Sequence, residues 1–504
     1  MTQLDEERRT MQREARRRLF RLLALLGGPL WALVILWMEP RTGISMSAWQ
    51  VVALTGWMAL WWVAEPVPIA VTALLPVAVL PLMGSVDIAE AAAPYANPLI
   101  FLFLGGFLLA EAIQSWGLHR RIAMVVLRFS GHCPHQLVAG FMLATAGLSM
   151  WVSNTATAAL MVPIGLSVLR LLESRGGVGA SRNMSLTLLL GIALAANIGG
   201  MGTLIGTPPN ALLAGFMADN YAIEIGFAEW MLFALPPAML LLAVSWWVLT
   251  RLVYPLPREP MPGVAALLEE QARDLGHMTA PERRVAIIFF LVALAWVARP
   301  LLQRLMPGVE LTDAGIAVLA AVMLFVVPAR WKEGRFLLDW ESARNLPWGV
   351  LLLVGGGLSL GSAIETSGLA AVVAQGLSAF GQWPVWSLVA MTVVAVMLMS
   401  HVTSNTATAA AILPLTASLA ASLGASPLLL SVPVAMAASC AFMLPVATPP
   451  NAVVFASGKV RVIDMMRAGA LVSVVAVVVI ILFLYALAMP VLGFGWASGA
   501  TLTS

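Results

Sequence analysis

Charge is what this sequence has least of: only 11% of its 504 residues are Asp, Glu, Lys or Arg, against roughly 25% in soluble globular chains. Lysine is nearly absent. Lys332 is followed by Glu333 and Lys459 by Val460, so neither completes the GxxxxGK[ST] loop that cradles nucleotide phosphates. That excludes an ATP-driven motor of this type in the chain. The two cysteines, Cys133 and Cys440, stand alone in separate stretches, and their local spacing builds neither a CxxC metal site nor a disulfide framework. No grouping of His, Asp and Glu has metalloprotease or hydrolase spacing, and the chain is read as a non-enzyme. The net charge of +3 and pI near 9.2 come from arginines in short segments between apolar runs. That is a mark of membrane topology and not of a nucleic-acid partner.

Apolar sequence fills the chain instead. Hydrophobic residues make up 60%, the mean hydropathy is +0.91, and runs of about twenty apolar residues recur, long enough to cross a bilayer. The expectation is an all-α polytopic protein embedded in the lipid bilayer of the cytoplasmic (inner) membrane. Residues 1–21 form a basic segment carrying Arg8, Arg9, Arg13, Arg16, Arg17, Arg18 and Arg21, expected in the cytoplasm. The run from Leu22 to Met38 ends in Glu39-Pro40-Arg41 and not in a small-x-small cleavage site, so it reads as a retained first helix. Spans are expected near 19–38, 48–65, 67–83, 96–116, 184–218, 228–253, 284–302, 312–328, 346–365, 428–457 and 466–492.

Two further apolar stretches, 136–170 and 385–424, are interrupted by Ser153-Asn154-Thr155 and by Ser404-Asn405-Thr406. Each is long enough to enter the membrane, turn and leave on the same side. The resulting architecture is eleven transmembrane helices plus two re-entrant hairpins. Positive charge tests that count. Arg120, Arg121 and Arg128, then Arg170, Arg175 and Arg182, then Arg330, Lys332, Arg335 and Arg344, then Lys459, Arg461 and Arg467 all fall inside. Arg299 and Arg304 fall outside as exceptions, and the C-terminus lands outside.

The sequence also repeats itself. Ser153-Asn154-Thr155-Ala156-Thr157-Ala158-Ala159 recurs 251 residues later as Ser404-Asn405-Thr406-Ala407-Thr408-Ala409-Ala410, with Pro163 matched by Pro414. Thr207-Pro208-Pro209-Asn210 recurs as Thr448-Pro449-Pro450-Asn451 at a shift of 241. The flanking charge differs: segment 117–135 holds three arginines and its counterpart 366–384 holds no charged residue. Like motifs with opposite flanks predict an inverted-topology repeat of the kind found in secondary transporters.

Both motifs have uses at membrane depth. A Ser-Asn-Thr cluster in apolar surroundings is costly unless satisfied by protein, water or ligand. At a hairpin tip it exposes the N–H groups of a half-helix N-terminus, suited to a carboxylate or other oxyanion. Its hydroxyl and amide oxygens suit a hard cation such as Na⁺. The paired prolines lack N–H donors and clash with carbonyls four residues earlier, so the backbone is expected to unwind at Gly202–Asn210 and Met443–Asn451. Stretches 136–169, 184–216 and 385–456 hold no Lys, Arg, Asp or Glu. Helix dipoles and co-bound cations must therefore balance a dianion bound there.

The paired SNT and TPPN motifs, in a layout of eleven spans and two hairpins, resemble the divalent anion/Na⁺ symporter family, which includes dicarboxylate and citrate carriers. The resemblance covers nearly the whole chain after the first helix. It implies a homodimer in which scaffold helices (22–95 and 284–345) hold the interface. Two inverted repeats (96–253 and 346–493, separated from the scaffold by a cytoplasmic loop at 254–283) carry the site in an elevator motion. Their unwound helices are 184–218 and 428–457. The implied substrate is a small dicarboxylate such as succinate, malate or fumarate, coupled to sodium, with no organic cofactor. Sodium-independent or proton-sensitive anion exchange, or a sulfate, phosphate or tricarboxylate substrate, is the alternative.

By the same resemblance, Ser153, Asn154, Thr155, Ser404, Asn405, Thr406, Thr448 and Pro449 contact the substrate. One sodium is held by Ser149, Ser153, Asn154 and backbone near Gly202, the other by Ser400, Ser404, Asn405 and backbone near Ala447. His401, whose counterpart is Met150, is a candidate coupling residue, since sodium-coupled relatives often carry an acidic residue there. It is either a neutral ring bonded to a backbone carbonyl or a protonated ring replacing one cation.

Overall fold

The computed structural model describes residues 21–494 apart from 39, 41–42, 132, 176–181, 262, 307 and 377–382. The basic segment before residue 21 therefore lies outside the described residues. The chain is almost wholly helical. Helices α1 (Arg21–Trp37), α2 (Met46–Ala64) and α3 (Ile69–Leu82) come first. There follow α4 (Pro98–Ser115), α5 (Leu118–Arg128), α6 (Pro134–Ser149) and α7 (Asn154–Arg175). Next are α8 (Arg182–Gly200), α9 (Pro208–Tyr221) and α10 (Phe227–Trp247). Helices α11 (Val264–Asp274), α12 (Ala280–Leu305) and α13 (Asp313–Val326) lead to a two-stranded ribbon, Pro328–Arg330 with Arg335–Phe336.

The second half repeats the order of α4–α10. It runs α14 (Trp348–Thr366), α15 (Leu369–Gly376), α16 (Val385–Ser400) and α17 (Asn405–Ser422). It closes with α18 (Leu428–Ala438), α19 (Pro449–Ala456) and α20 (Val462–Phe483).

Among the described residues, seven helical segments are long and apolar enough to cross a membrane, the longest Val462–Val491 with 30 residues. Five apolar helices among the described residues are shorter: α1, α3, α13, α16 and α18. Helix α12 shows why the outer helices read so clearly: Phe290, Leu291, Leu294 and Val297 are all exposed, an apolar face that only lipid or another subunit can cover.

Three local expectations need correction. The arginine-bearing stretch 117–135 is not only a loop. Leu118, Ala123, Met124 and Leu127 are buried on one face of α5 while Arg120 and Arg128 lie on the other, the pattern of an amphipathic helix. Segment 254–283 likewise contains α11, which buries Val264 and Leu268. The second break also begins earlier than Met443, because α18 already ends at Ala438. Pro445 has no counterpart in the first copy; it withholds one more N–H and clashes one turn back.

The end charges are paired. Arg121 meets Glu282 at 3.2 Å, tying α5 to α12, and Arg182 and Arg461 meet Asp464 at 2.7 and 2.9 Å. Arg299, one of the two arginines on the unexpected side, lies 3.0 Å from Asp313, so it adds little net charge there.

Candidate functional site

The site is built where helices stop. Helix α6 ends at Ser149 and α7 begins at Asn154; α16 ends at Ser400 and α17 begins at Asn405. Each broken pair leans on its own copy's next helix, α6 on α8 and α16 on α18. The second member crosses over: α7 packs against α19, and α17 against α9. Each SNT helix is therefore neighbour to the other copy's TPPN helix.

The same oxygen cluster forms twice. Ser149 Oγ lies 2.5 Å from Asn154 Oδ1 and 2.7 Å from the Ala196 carbonyl. Ser400 Oγ lies 2.6 Å from Asn405 Oδ1 and 2.6 Å from the Ala438 carbonyl. A hydroxyl has one proton and both neighbours are acceptors, so one contact in each cluster has no hydrogen in it. Lone pairs of three oxygens converge, an arrangement matched to a hard cation. Ala438 is the last residue of α18 and Ala196 lies one turn before the end of α8, so both carbonyls are near the negative end of a half-helix dipole.

The TPPN asparagines hold the breaks in shape. Asn210 Nδ2 donates to the Gly200 and Thr203 carbonyls at 3.2 and 2.8 Å. Asn451 Nδ2 donates to those of Ala441 and Leu444 at 3.1 and 3.0 Å. These bonds satisfy carbonyls that an unwound, buried backbone would otherwise orphan. Thr207 and Thr448 are extended, and a proline at the first helical position restarts each helix, where its missing N–H costs nothing.

The remaining candidate residues divide between the copies. Ser153 caps α7, accepting from Ala156 N at 3.3 Å; Ser404 makes no capping bond to α17. Ser153, Thr155 and Pro449 are exposed, Ser404 and Asn405 half-buried, and Thr406, Thr448 and Ala447 buried. Among the described residues the two SNT triplets make no hydrogen bond to each other. Gly202 faces Met150, while Gly200 lies under Asn154: a Cβ on residue 200 would fall 2.6 Å from Asn154 Oδ1. His401 is 2% exposed, with Nδ1 2.6 Å from the Met397 carbonyl, and Nε2 has no partner among the described residues.

Sequence reasoning passed over Gly200, Asn197 and Trp151. Asn197 donates to Thr448 Oγ1 at 3.0 Å and to Asn451 Oδ1 at 3.2 Å. It had a signal, being a lone amide in a charge-free run. Trp151, at the first tip, stacks on Phe227 and Trp296 at 5.8 and 6.4 Å and meets Phe289 edge-on at 5.0 Å. No signal in the sequence joins residues so far apart.

A family model described as the sodium:sulfate symporter transmembrane region matches residues 19–493. Two similar curated proteins are the sodium-dependent dicarboxylate transporters SdcS of Staphylococcus saprophyticus and of Staphylococcus aureus strain USA300. Each is 40% identical, over 478 and 479 residues, covering 94% of this chain and 92% of the relative. Among solved structures, the Alcanivorax borkumensis YdaH transporter aligns with a TM-score of 0.60 at 15% identity, over 88% of this chain and 99% of that one. Neisseria gonorrhoeae MtrF aligns with 0.55 at 12%, over 93% and 100%. At such identities these two speak for the fold alone. With matches of this length in register, the chain belongs to the sodium:sulfate symporter family, the divalent anion/Na⁺ symporters, whose members are membrane transporters and not enzymes.

Proposed function

We propose that this chain is a sodium-coupled carrier of a small dicarboxylate of the succinate, malate or fumarate class. The observation that carries the reading is the duplicated oxygen cluster, Ser149–Asn154–Ala196 and Ser400–Asn405–Ala438, each beside the start of a half-helix. A cation held in each cluster neutralises its converging lone pairs and sets positive charge next to helix N-termini, where a carboxylate is stabilised. Two such tips suit two carboxylates a few carbons apart. The curated relatives at 40% identity, named as sodium-dependent dicarboxylate transporters, support the same substrate class.

In this reading Ser153, Asn154, Thr155, Ser404, Asn405, Thr406, Thr448 and Pro449 receive the anion, and backbone near Gly202 and Ala447 completes the sodium shells. Helices α6–α7 and α16–α17 act as re-entrant hairpins. Counting α8 with α9 and α18 with α19 as single interrupted spans gives eleven crossings. The protein works as a homodimer in the cytoplasmic membrane with its N-terminus inside, its C-terminus outside and its two inverted repeats moving as an elevator. His401 is neutral. Its Nδ1–H donates to Met397, and a second proton would leave a charged Nε2–H buried with no acceptor among the described residues, a costly state.

The test is succinate uptake by proteoliposomes with and without an inward sodium gradient. Uptake that requires sodium is the expected result. A folded protein that carries no dicarboxylate under either condition overturns the reading.

A further inference from the structure

The two breaks are not held alike. Asn451 and Asn210 occupy equivalent positions, and each spends its NH₂ on carbonyls of its own unwound segment. Asn451 Oδ1 accepts from Asn197 of the other repeat at 3.2 Å, whereas Asn210 Oδ1 is buried with no partner among the described residues. In the register that pairs Ala196 with Ala438, the residue equivalent to Asn197 is Ser439, whose buried hydroxyl makes no hydrogen bond among the described residues.

We propose that Asn197 is a positioning residue, which from the first repeat fixes the unwound backbone and the Thr448 hydroxyl of the second. Two pieces of chemistry carry this. Holding Asn451 Oδ1 decides which way that amide points, so its NH₂ faces Ala441 and Leu444. Donation to Thr448 Oγ1 at 3.0 Å fills an acceptor site on that hydroxyl, leaving its O–H free to donate to an anion. The first break does without such a pin because residues 201–207 are all buried and packing fixes them. The second is open, with Val446 73% exposed and Pro449 exposed, so a hydrogen bond must do what packing does not. The residue before Asn197 is Ala196, whose carbonyl receives Ser149. One turn of α8 therefore touches the oxygen cluster of the first copy and the break of the second.

That Thr448 serves a carboxylate rests on the carrier reading above; the positioning does not. The experiment compares Asn197→Ala with the wild type by amide hydrogen exchange in detergent and by succinate uptake. Faster exchange confined to 441–448 is expected, together with a rise of about tenfold in the half-saturating succinate concentration, the loss of a buried hydrogen bond. Maximal rate falls much less.

Unchanged exchange over 441–448 overturns the positioning, whatever the uptake does. Faster exchange with unaltered half-saturation overturns the role toward substrate and leaves a merely structural bond. Should the wild type carry no succinate, the carrier reading fails separately and the exchange comparison still decides the positioning. If Asn197→Ala does not fold, Asn197→Ser, too short to reach both oxygens, carries the same expectations.

Discussion

The first SNT tip and the second have the same triplet and the same serine one turn before it, yet they stand in opposite surroundings. Trp151 in the first is wedged into an aromatic cluster whose Phe227 and Trp296 rings lie 4.5 Å apart. That cluster is anchored by Asp313, which accepts from Phe227 N at 2.8 Å and whose carbonyl accepts from Trp296 Nε1 at 3.0 Å. The equivalent residue of the second tip is Val402, 70% exposed. Behind the tips the same contrast holds, a sealed break at 201–207 and an open one around Val446. The motif therefore determines its own short-range bonds, serine to asparagine to helix-end carbonyl. It does not determine whether the tip is docked or free.

The strongest way to break this comparison is to remove the shared chemistry from each copy in turn. Asn154→Ala and Asn405→Ala are each expected to abolish sodium-driven uptake, since each deletes an oxygen from its cluster. Yield and thermal midpoint in detergent should stay close to wild type, because hairpin packing and not the asparagine holds each tip. Normal transport by both variants would make the clusters structural features and move the site elsewhere.

A smaller effect sharpens the difference in packing. Trp151→Ala should lower stability by about 2 kcal/mol, below the cost of truncating a fully buried aromatic because the ring is half-buried. Val402→Ala should change it by no more than about 0.5 kcal/mol. Differential scanning fluorimetry of the purified protein distinguishes them. Equal losses at both positions would mean that the second tip is docked as firmly as the first.

The smallest expected change concerns the one ionisable side chain in either tip. With His401 neutral, His401→Gln should leave the sodium Hill slope and the pH profile of uptake between about 5.5 and 8 as they are, the range where a histidine of ordinary pKa would titrate. Substrate ionisation is matched by running both proteins side by side. A pH dependence present in the wild type and lost in the variant would show a charged His401, and would break the equivalence of the two oxygen clusters.

Much of this was legible along the chain, for particular reasons. Helices stop at Ser149 and Ser400 and restart after Ser153 and Ser404 because a polar triplet interrupts each long apolar run. Thr-Pro-Pro-Asn unwinds the backbone because two prolines cannot complete a helical ladder, and it does so in both halves. The stretch containing α5 was harder: its arginines dominated the reading and masked the burial spacing of Leu118, Ala123 and Leu127. The end of α18 at Ala438 was also hidden, since Pro445 clashes only as far back as residue 441 and no proline marks the residues between.

Composition and repetition thus determined the solvent, the class and the places where helices must break, because these follow from transfer energies and backbone sterics that act within a few residues. Tertiary structure alone decided which breaks are sealed and which helix crosses to which copy. It also decided that Asn197 of one repeat meets Thr448 and Asn451 of the other. Those outcomes depend on side chains some 250 residues apart arriving within about 3 Å, and no local periodicity encodes such a meeting.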